Sequence, residues 1–465
     1  MDDKLVLRTP IDGSVYFECA YADEETIDMA LAGATKAQLE WRETPLDERI
    51  EICEKFNGAL LAKKAKLGLE LTWQMGRPVR YAQKEIETCV DRSRTMIRLA
   101  KEALAPQELD EKEGFRRYLT REPLGVVLVV PAWNYPYMIA VNSVIPALLA
   151  GNAVVLKHSS QTALVAERFA EAFSAAGLPS GLFQVVHANH EKTARIIADE
   201  RVQFVAFTGS VGGGHAVTQA AASRFVGLGL ELGGKDPAYV RADADISFAV
   251  ENLVDGSFFN SGQSCCGIER IYVHESVYDR FWPQFVELTH RYVLDDPRME
   301  ETTLGPVARA SGAETVRQHI GEALEQGARA FIDPQRFPRH EETGQYLAPQ
   351  VLLHVNHEMR IMREESFGPV VGIMKVSGDD EAIQLMNDSD YGLTASIWTE
   401  DIDTGTTLLN RVETGTAFLN RCDYLDPELA WVGVKNSGRG CTLSAFGFEQ
   451  LTRPKSLHLR TRTSS

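Results

Sequence analysis

The sequence predicts an α/β protein with two doubly wound lobes. Two observations carry that prediction. Beyond Gly125, short β-branched runs alternate with helical stretches, and past Glu231 the alternation starts again as a second series. The strand-like runs are apolar at consecutive positions, the pattern of a parallel sheet covered by helices on both faces. At 465 residues the chain is also long for one core, which favours two large units.

Residues 24–104 precede the first series and read as consecutive helices. Ile27, Leu31, Ala34 and Trp41 recur at helical spacing, and 47–71 continues the pattern. Gly76-Arg77-Pro78 ends one helix and starts the next, through Ile86, Val90, Met96 and Leu99. Nothing in this layer points to chemistry, so it is expected to pack. In the first series 126–130, 153–156, 183–186, 204–207 and 226–230 read as strands, with helices over 138–149 and 163–176. Such a layer is of the dinucleotide-binding type. In the second series 271–274, 330–332, 393–398 and 416–419 read as strands, and 276–292 and 314–326 as helices. A cleft is expected between the lobes.

Composition narrows the partners. A net charge of −17 disfavours nucleic acid and anionic membrane, because both would be repelled over most of the surface. The start Met1-Asp2-Asp3-Lys4 lacks the basic and apolar runs of a signal peptide, and no apolar stretch nears the roughly 20 residues a bilayer requires. The reading is cytoplasmic. Seven scattered cysteines do not form a disulfide framework, and Cys265-Cys266 lacks partners at zinc-ligand spacing, so no metal is expected.

The chemistry concentrates between Glu231 and Arg270. That stretch opens with Glu231-Leu232-Gly233-Gly234-Lys235-Asp236-Pro237 and closes with Asn260-Ser261-Gly262-Gln263-Ser264-Cys265-Cys266-Gly267-Ile268-Glu269-Arg270. A strand-end Glu or a Cys in a Gly-rich turn is, alone, more often structural. Together they suggest a carboxylate and a thiol in one cleft, the parts an acyl-thioester mechanism requires.

At these residues the chain resembles the aldehyde dehydrogenase superfamily. Further blocks lie in family order on both sides: Pro131-Ala132-Trp133-Asn134-Tyr135-Pro136, Phe207-Thr208-Gly209-Ser210, Glu364-Glu365-Ser366-Phe367-Gly368-Pro369 and Gly433-Val434-Lys435-Asn436-Ser437-Gly438. The resemblance spans almost the whole chain and is to NAD(P)-dependent, non-acylating members, similar to bacterial semialdehyde and aminoaldehyde dehydrogenases. It implies a Rossmann-like cofactor-binding domain at 1–104 and 124–230, a catalytic domain at 231–430, and a β oligomerisation element at 105–123 and 448–465. Segments 114–120 and 456–460 do alternate as exposed strands, and an exposed edge invites pairing with another subunit. A homodimer or homotetramer is expected.

The resemblance also implies roles. Cys265 attacks a small-molecule aldehyde, and Cys266 is a packed neighbour. Asn134 and the Cys265 N–H hold the resulting oxyanion, each such donor being worth about 3 kcal/mol in the transition state. Glu231 activates water against the thioester, with a pKa raised by partial burial. NAD or NADP would lie against Trp133, with Lys157 and Ser160 at the adenosine ribose. Thr208, Gly209 and Ser210 would meet the nicotinamide side and a phosphate, and Glu365 and Phe367 the nicotinamide ribose. The ordinary G-x-G-x-x-G fingerprint is absent.

Departures bear on specificity. Ser160 stands where NAD-preferring members often carry a Glu, which leaves room for a 2′-phosphate. His187-Ala188-Asn189-His190 replaces the expected glycines. Ser143 and Thr442 replace a Lys and a Glu that can pass protons. Asn142 replaces the Arg that often binds a distal carboxylate, which weakens an ω-carboxylate substrate. The substrate mouth is expected at Tyr137, Ser264 and the loop 421–431, whose acids and aromatics would suit a cationic aminoaldehyde. Rival readings are a CoA-acylating relative, a cofactor-free thiol esterase and a non-catalytic structural relative.

Overall fold

Two separate sheets carry the two alternating series. The computed structural model of the chain describes residues 4–462. The outer residues, part of the start read above and of the 448–465 segment, lie outside it. The first sheet has six strands in the order Gly438–Arg439, Gly227–Glu231, Val202–Thr208, Val126–Val130, Ala153–Leu156, Phe183–Val185. All run parallel except Gly438–Arg439. The five residues of Val126–Val130 are all buried, and successive side chains enter opposite cores. Val127 and Val129 pack with Phe56 and Val141, whereas Val126, Leu128 and Val130 pack with Ile27 and Leu31. A strand covered on both faces needs an apolar residue at every position, which is why this run reads continuously.

The second sheet has seven strands in the order Arg329–Ala330, Gln350–Leu353, Val370–Val376, Ile268–His274, Asp236–Val240, Thr394–Trp398, Thr416–Leu419. Only Arg329–Ala330 runs antiparallel. The predicted strand 330–332 is thus cut short. The Phe331 N–H still reaches the Val351 carbonyl at 3.0 Å, but the Ile332 N–H turns to the Gln350 side-chain oxygen at 2.9 Å, so the ladder ends there.

The helical layer is Glu24–Trp41, Leu46–Ala62, Lys64–Met75 and Val79–Ala103. The run 47–71 is broken at Lys63, and Gly76 caps the third helix at φ 81°, a left-handed conformation that suits glycine. A third sheet pairs all nine residues of Thr452–Arg460 with Phe115–Pro123, and Gln107–Glu108 adds a short strand. The hairpin Lys4–Arg8 with Val15–Ala20 and the strands Asp236–Val240, Gln350–Leu353 and Val370–Val376 were not anticipated from sequence. No helix among the described residues is long and apolar enough to cross a membrane.

The topology positions the site. Val126–Val130 has Ala153–Leu156 on one side and Val202–Thr208 on the other, a switch point whose carboxyl ends open a crevice. Segments leaving the first sheet after residues 130, 156, 208 and 231 meet segments entering the second before 236, 268 and 370.

Candidate active site

A cavity of about 480 Å³ fills that crevice, within the range of small-molecule sites. From the first sheet, Trp133 and Asn134 reach it after Val126–Val130, Lys157 and Ser160 after Ala153–Leu156, and Thr208, Gly209 and Ser210 after Val202–Thr208. From the second come Cys265, Glu365 and Phe367. Glu231 does not line the cavity wall, although the next residues, Leu232 and Gly233, do.

Asn134 is buried, and its Nδ2 donates to the Gln263 carbonyl at 3.2 Å. One amide hydrogen is thereby fixed and the other is left to the cavity. Arg77 holds the backbone behind it. Its Nη2 donates to the Asn134 carbonyl at 2.6 Å, its Nε to Asn260 at 3.1 Å, and its Nη1 pairs with buried Glu85. Its guanidinium also lies 4.4 Å over the Tyr135 ring. Sequence reasoning gave Arg77 no role beyond its helix boundary.

The Gly-Gly break has a steric cause. A Cβ at Gly234 would stand 2.5 Å from the Cys265 carbonyl oxygen, and one at Gly233 would strike the Glu365 carboxyl. Glu365 accepts the Gly234 N–H at 3.0 Å, and burial pushes its pKa up to about 8. Glu269, paired with buried Lys235, accepts the N–H groups of Ser366 and Phe367 at 2.8 and 2.9 Å. That grip holds Phe367 at φ 50°, with its ring 5.6 Å from Trp133.

Behind this wall, Glu231 accepts from the Thr442 hydroxyl at 3.2 Å through Oε1, while Oε2 is buried without a partner. Burial pushes its carboxyl up to about 8. Thr442 thus meets the predicted base as a neutral donor. The neighbouring Cys266 thiol turns away from the cavity and donates to Asp423 at 3.1 Å; Ser264 donates to the same oxygen at 2.8 Å. The hydrogen-bonded Cys265 and burial hold the Cys266 thiol well above its usual range.

Two expectations about the substrate mouth fail. Tyr137 is fully buried, 5.8 Å from Phe169, so it belongs to the core. The acids of loop 421–431 are already engaged: Asp423 as above, Glu428 with Arg98, and Asp426 with the Glu428 N–H at 3.0 Å. A buried cation lies outside the residues that line the cavity. Arg92 is buried, its Nη1 donates to Asn142 Oδ1 at 3.3 Å and to the Met138 carbonyl at 3.4 Å, and its Nε has no partner. Cys89, Cys266, Cys265 and Tyr135 are the groups whose charges weigh most on it.

The cavity suits a dinucleotide. Ser210 caps the helix Val211–Ala221 and presents that N-terminus to the cavity. A Cβ at Gly209 or Gly213 would fall 2.6 Å from the Phe207 ring, so the backbone stays bare there. Lys157 lies along the same wall, its pKa pushed down to about 8 by burial. His190 reaches the cavity too, from the segment that lacks the expected glycines.

The aldehyde dehydrogenase family profile matches residues 2–457. A curated relative, "Succinate semialdehyde dehydrogenase [NAD(P)+] Sad" of Escherichia coli (strain K12), is 33% identical over 441 residues, covering 95% of each chain. The "Succinate-semialdehyde dehydrogenase [NADP(+)]" of Mycobacterium avium (strain 104) is 31% identical, covering 96% of this chain and 95% of its own. Among solved structures, the NAD-dependent aldehyde dehydrogenase of Sinorhizobium meliloti superposes with a TM-score of 0.95 at 32% identity, covering 99% of this chain and 92% of its own. The NADP complex of the NADP-dependent glyceraldehyde-3-phosphate dehydrogenase of Bacillus halodurans C-125 gives 0.93 at 31%, covering 99% and 96%.

Proposed function

The chain belongs to the aldehyde dehydrogenase family, and we propose that within it the enzyme oxidises a semialdehyde with a distal carboxylate, using Cys265 as nucleophile. It is an NAD(P)-dependent oxidoreductase that converts an aldehyde to its carboxylic acid. What carries the site assignment is one arrangement: the Cys265 thiol and the Asn134 amide line the same cavity as Lys157 and the Ser210 helix terminus.

Cys265 Sγ attacks the carbonyl carbon, and the carbonyl π pair moves onto oxygen. The Asn134 amide and the Cys265 backbone N–H receive that negative charge. As the oxygen pair re-forms C=O, the C–H bond breaks and its hydride leaves, which a bound nicotinamide would accept, and a thioester on Cys265 remains. Glu231 then takes a proton from water, whose oxygen adds to the thioester carbon. The C–S bond breaks, releasing the acid and the Cys265 thiolate. Since Glu231 sits behind the cavity wall, its carboxyl swings forward from Thr442 to reach that water.

Arg92 supports the substrate class. A buried guanidinium without an anionic partner costs several kcal/mol, which a bound carboxylate would offset. Bonded to Asn142, it brings a positive charge back to the position where the sequence lacks its Arg. Two relatives named succinate-semialdehyde dehydrogenases support the same class. The test compares succinic semialdehyde with butanal in the unaltered enzyme and in Arg92→Leu. A KM for the semialdehyde raised about 10- to 100-fold, with butanal little changed, supports the reading. Equal effects on both substrates refute it.

The division into a cofactor-binding unit at 1–104 and 124–230, a catalytic unit at 231–430 and an oligomerisation element is part of the same reading. The exposed edge of Thr452–Arg460 supports homo-oligomerisation, and a cytoplasmic location fits the composition.

A further inference from the structure

Cys265 sits in a turn that a distant carboxylate closes. The Gly267 N–H donates to the Ser264 carbonyl at 3.1 Å, which places Cys265 and Cys266 at the tip. Asp423 Oδ1 then accepts from the Ser264 hydroxyl at 2.8 Å and from the Cys266 thiol at 3.1 Å. One oxygen therefore grips the residue before Cys265 and the residue after it. Burial lifts the Asp423 carboxyl to about 6, so above that pH it is ionised and only accepts, which suits two donors. Among the described residues nothing accepts the Cys265 N–H, so it stays free for an oxyanion.

The segment that carries Asp423 is anchored at three points. It leaves the strand Thr416–Leu419 with Asn420 and Asp423 at φ 54° and 44°, a left-handed conformation that residues other than glycine rarely adopt and that surrounding contacts must enforce. Asn420 exchanges two hydrogen bonds with the Thr399 backbone, both at 2.9 Å. Cys422 donates to the Asn252 carbonyl at 3.5 Å, and a Cβ at Gly256 would fall 2.6 Å from its sulfur. Asp423 thus reaches the turn from a fixed base, 157 residues beyond Cys266. It and Arg77 also feel each other's charge, and Arg77 holds the Asn134 carbonyl. The supports of the two oxyanion donors therefore face one another.

We propose that Asp423 is a positioning residue for the chemical step: by tying Ser264 to Cys266 it aims the Cys265 N–H at the oxyanion. The inference rests on the reading of Cys265 as the nucleophile. It gives an acid of the loop 421–431 a task inside the protein, where its carboxylate serves the turn of the nucleophile and not a cationic substrate. A donor contributes to the transition state only when it points at the charge as that charge forms, and a closed ring holds the direction more tightly than a free turn.

The test separates the aim of the N–H from the thiol itself. Stopped-flow absorbance reads the first-turnover burst of reduced nicotinamide with butanal. Site-resolved mass spectrometry reads how fast iodoacetamide alkylates Cys265, a displacement that forms no oxyanion. Asp423→Ala opens the ring and lowers the burst rate about 10- to 100-fold, while alkylation keeps at least about a third of its rate. Asp423→Asn keeps a carbonyl oxygen for both donors and restores the burst to within about threefold of the parent. Ser264→Ala combined with Cys266→Ala opens the ring from the other side and reproduces the loss, which decides the matter if Asp423→Ala does not fold. An unchanged burst in either opened ring, alkylation falling in step with the burst, or an Asn variant no faster than the Ala variant overturns the inference. A burst that survives Cys265→Ser overturns the nucleophile reading, and the inference with it.

Discussion

Thr442 donates its hydroxyl to Glu231 Oε1 at 3.2 Å, and among the described residues this is the one hydrogen bond that draws the Glu231 carboxyl toward ionisation against the burial that raises it. Because burial lifts the carboxyl to about 8, Glu231 is mostly protonated below that pH and able to accept a proton only above it. Turnover limited by thioester hydrolysis therefore rises with pH and levels off above about 8. Thr442→Val removes the stabilising donor and moves the rise upward by about one pH unit, the worth of one hydrogen bond to a charged group. A kcat profile with its midpoint unmoved in that variant would contradict the pairing.

Stability carries the opposite pH signature from the same group. In the unfolded chain Glu231 loses its proton near the ordinary 4.5, while in the folded chain it keeps the proton to about 8. Between those values the unfolded state binds fewer protons, so this group's contribution to stability falls as pH rises. Glu231→Gln keeps the buried shape but cannot ionise. Denaturant titrations from pH 5 to 8.5 should give the variant a flatter profile than the parent, and parallel profiles would place the titrating group elsewhere.

The adjacent thiols separate by function. Cys265→Ser is expected to lower aldehyde oxidation by about a thousandfold or more, as removal of a nucleophile does. Cys266→Ser keeps both the volume and the donor that Asp423 receives, so it stays within about tenfold of the parent. Absorbance of the reduced nicotinamide reads both, and equal losses would undo the distinction.

Glu269 touches no part of the cavity, yet it grips the loop that carries Glu365 and Phe367. Glu269→Ala frees that loop and leaves buried Lys235 without its partner, at a cost of about 3–5 kcal/mol in stability. Below the lowered melting temperature, the KM for the nicotinamide cofactor should rise while the aldehyde KM changes little. A proportional loss in both would indicate general loosening instead.

How much of this was legible in the sequence depended on how far apart the partners lie. Val126–Val130 declared itself because every residue enters a core. Asp236–Val240 did not, since it starts with Asp-Pro, which reads as a turn. The Asp236 carboxylate is in fact buried and satisfied by the Thr394 N–H at 3.1 Å and its hydroxyl, groups 158 residues away. The cavity walls were legible through short blocks at strand ends. Arg77 and Arg92 were not, because an arginine in a Gly-Pro helix break or in the polar run Asp91-Arg92-Ser93 looks solvated whichever way it turns. Among their partners Asn142, Asn134 and Asn260 stand 50, 57 and 183 residues distant.

Arg77 yields the sharpest structural test. It is buried with Glu85, which in turn accepts the Tyr137 N–H at 2.9 Å, and the pair stands directly behind the Asn134 carbonyl. Arg77→Met leaves the Glu85 charge buried and unpaired, which costs about 3–5 kcal/mol, and it also frees the backbone that aims the Asn134 amide. The double variant Arg77→Met with Glu85→Gln removes the stranded charge and recovers much of the stability, but it does not restore the lost grip on Asn134. Melting temperature and kcat should therefore separate: the first largely returns in the double variant, and the second stays low. Recovery of both together would mean that the ion pair acts on activity only through folding, and that the Asn260 amide and the Gln263 carbonyl suffice to aim Asn134.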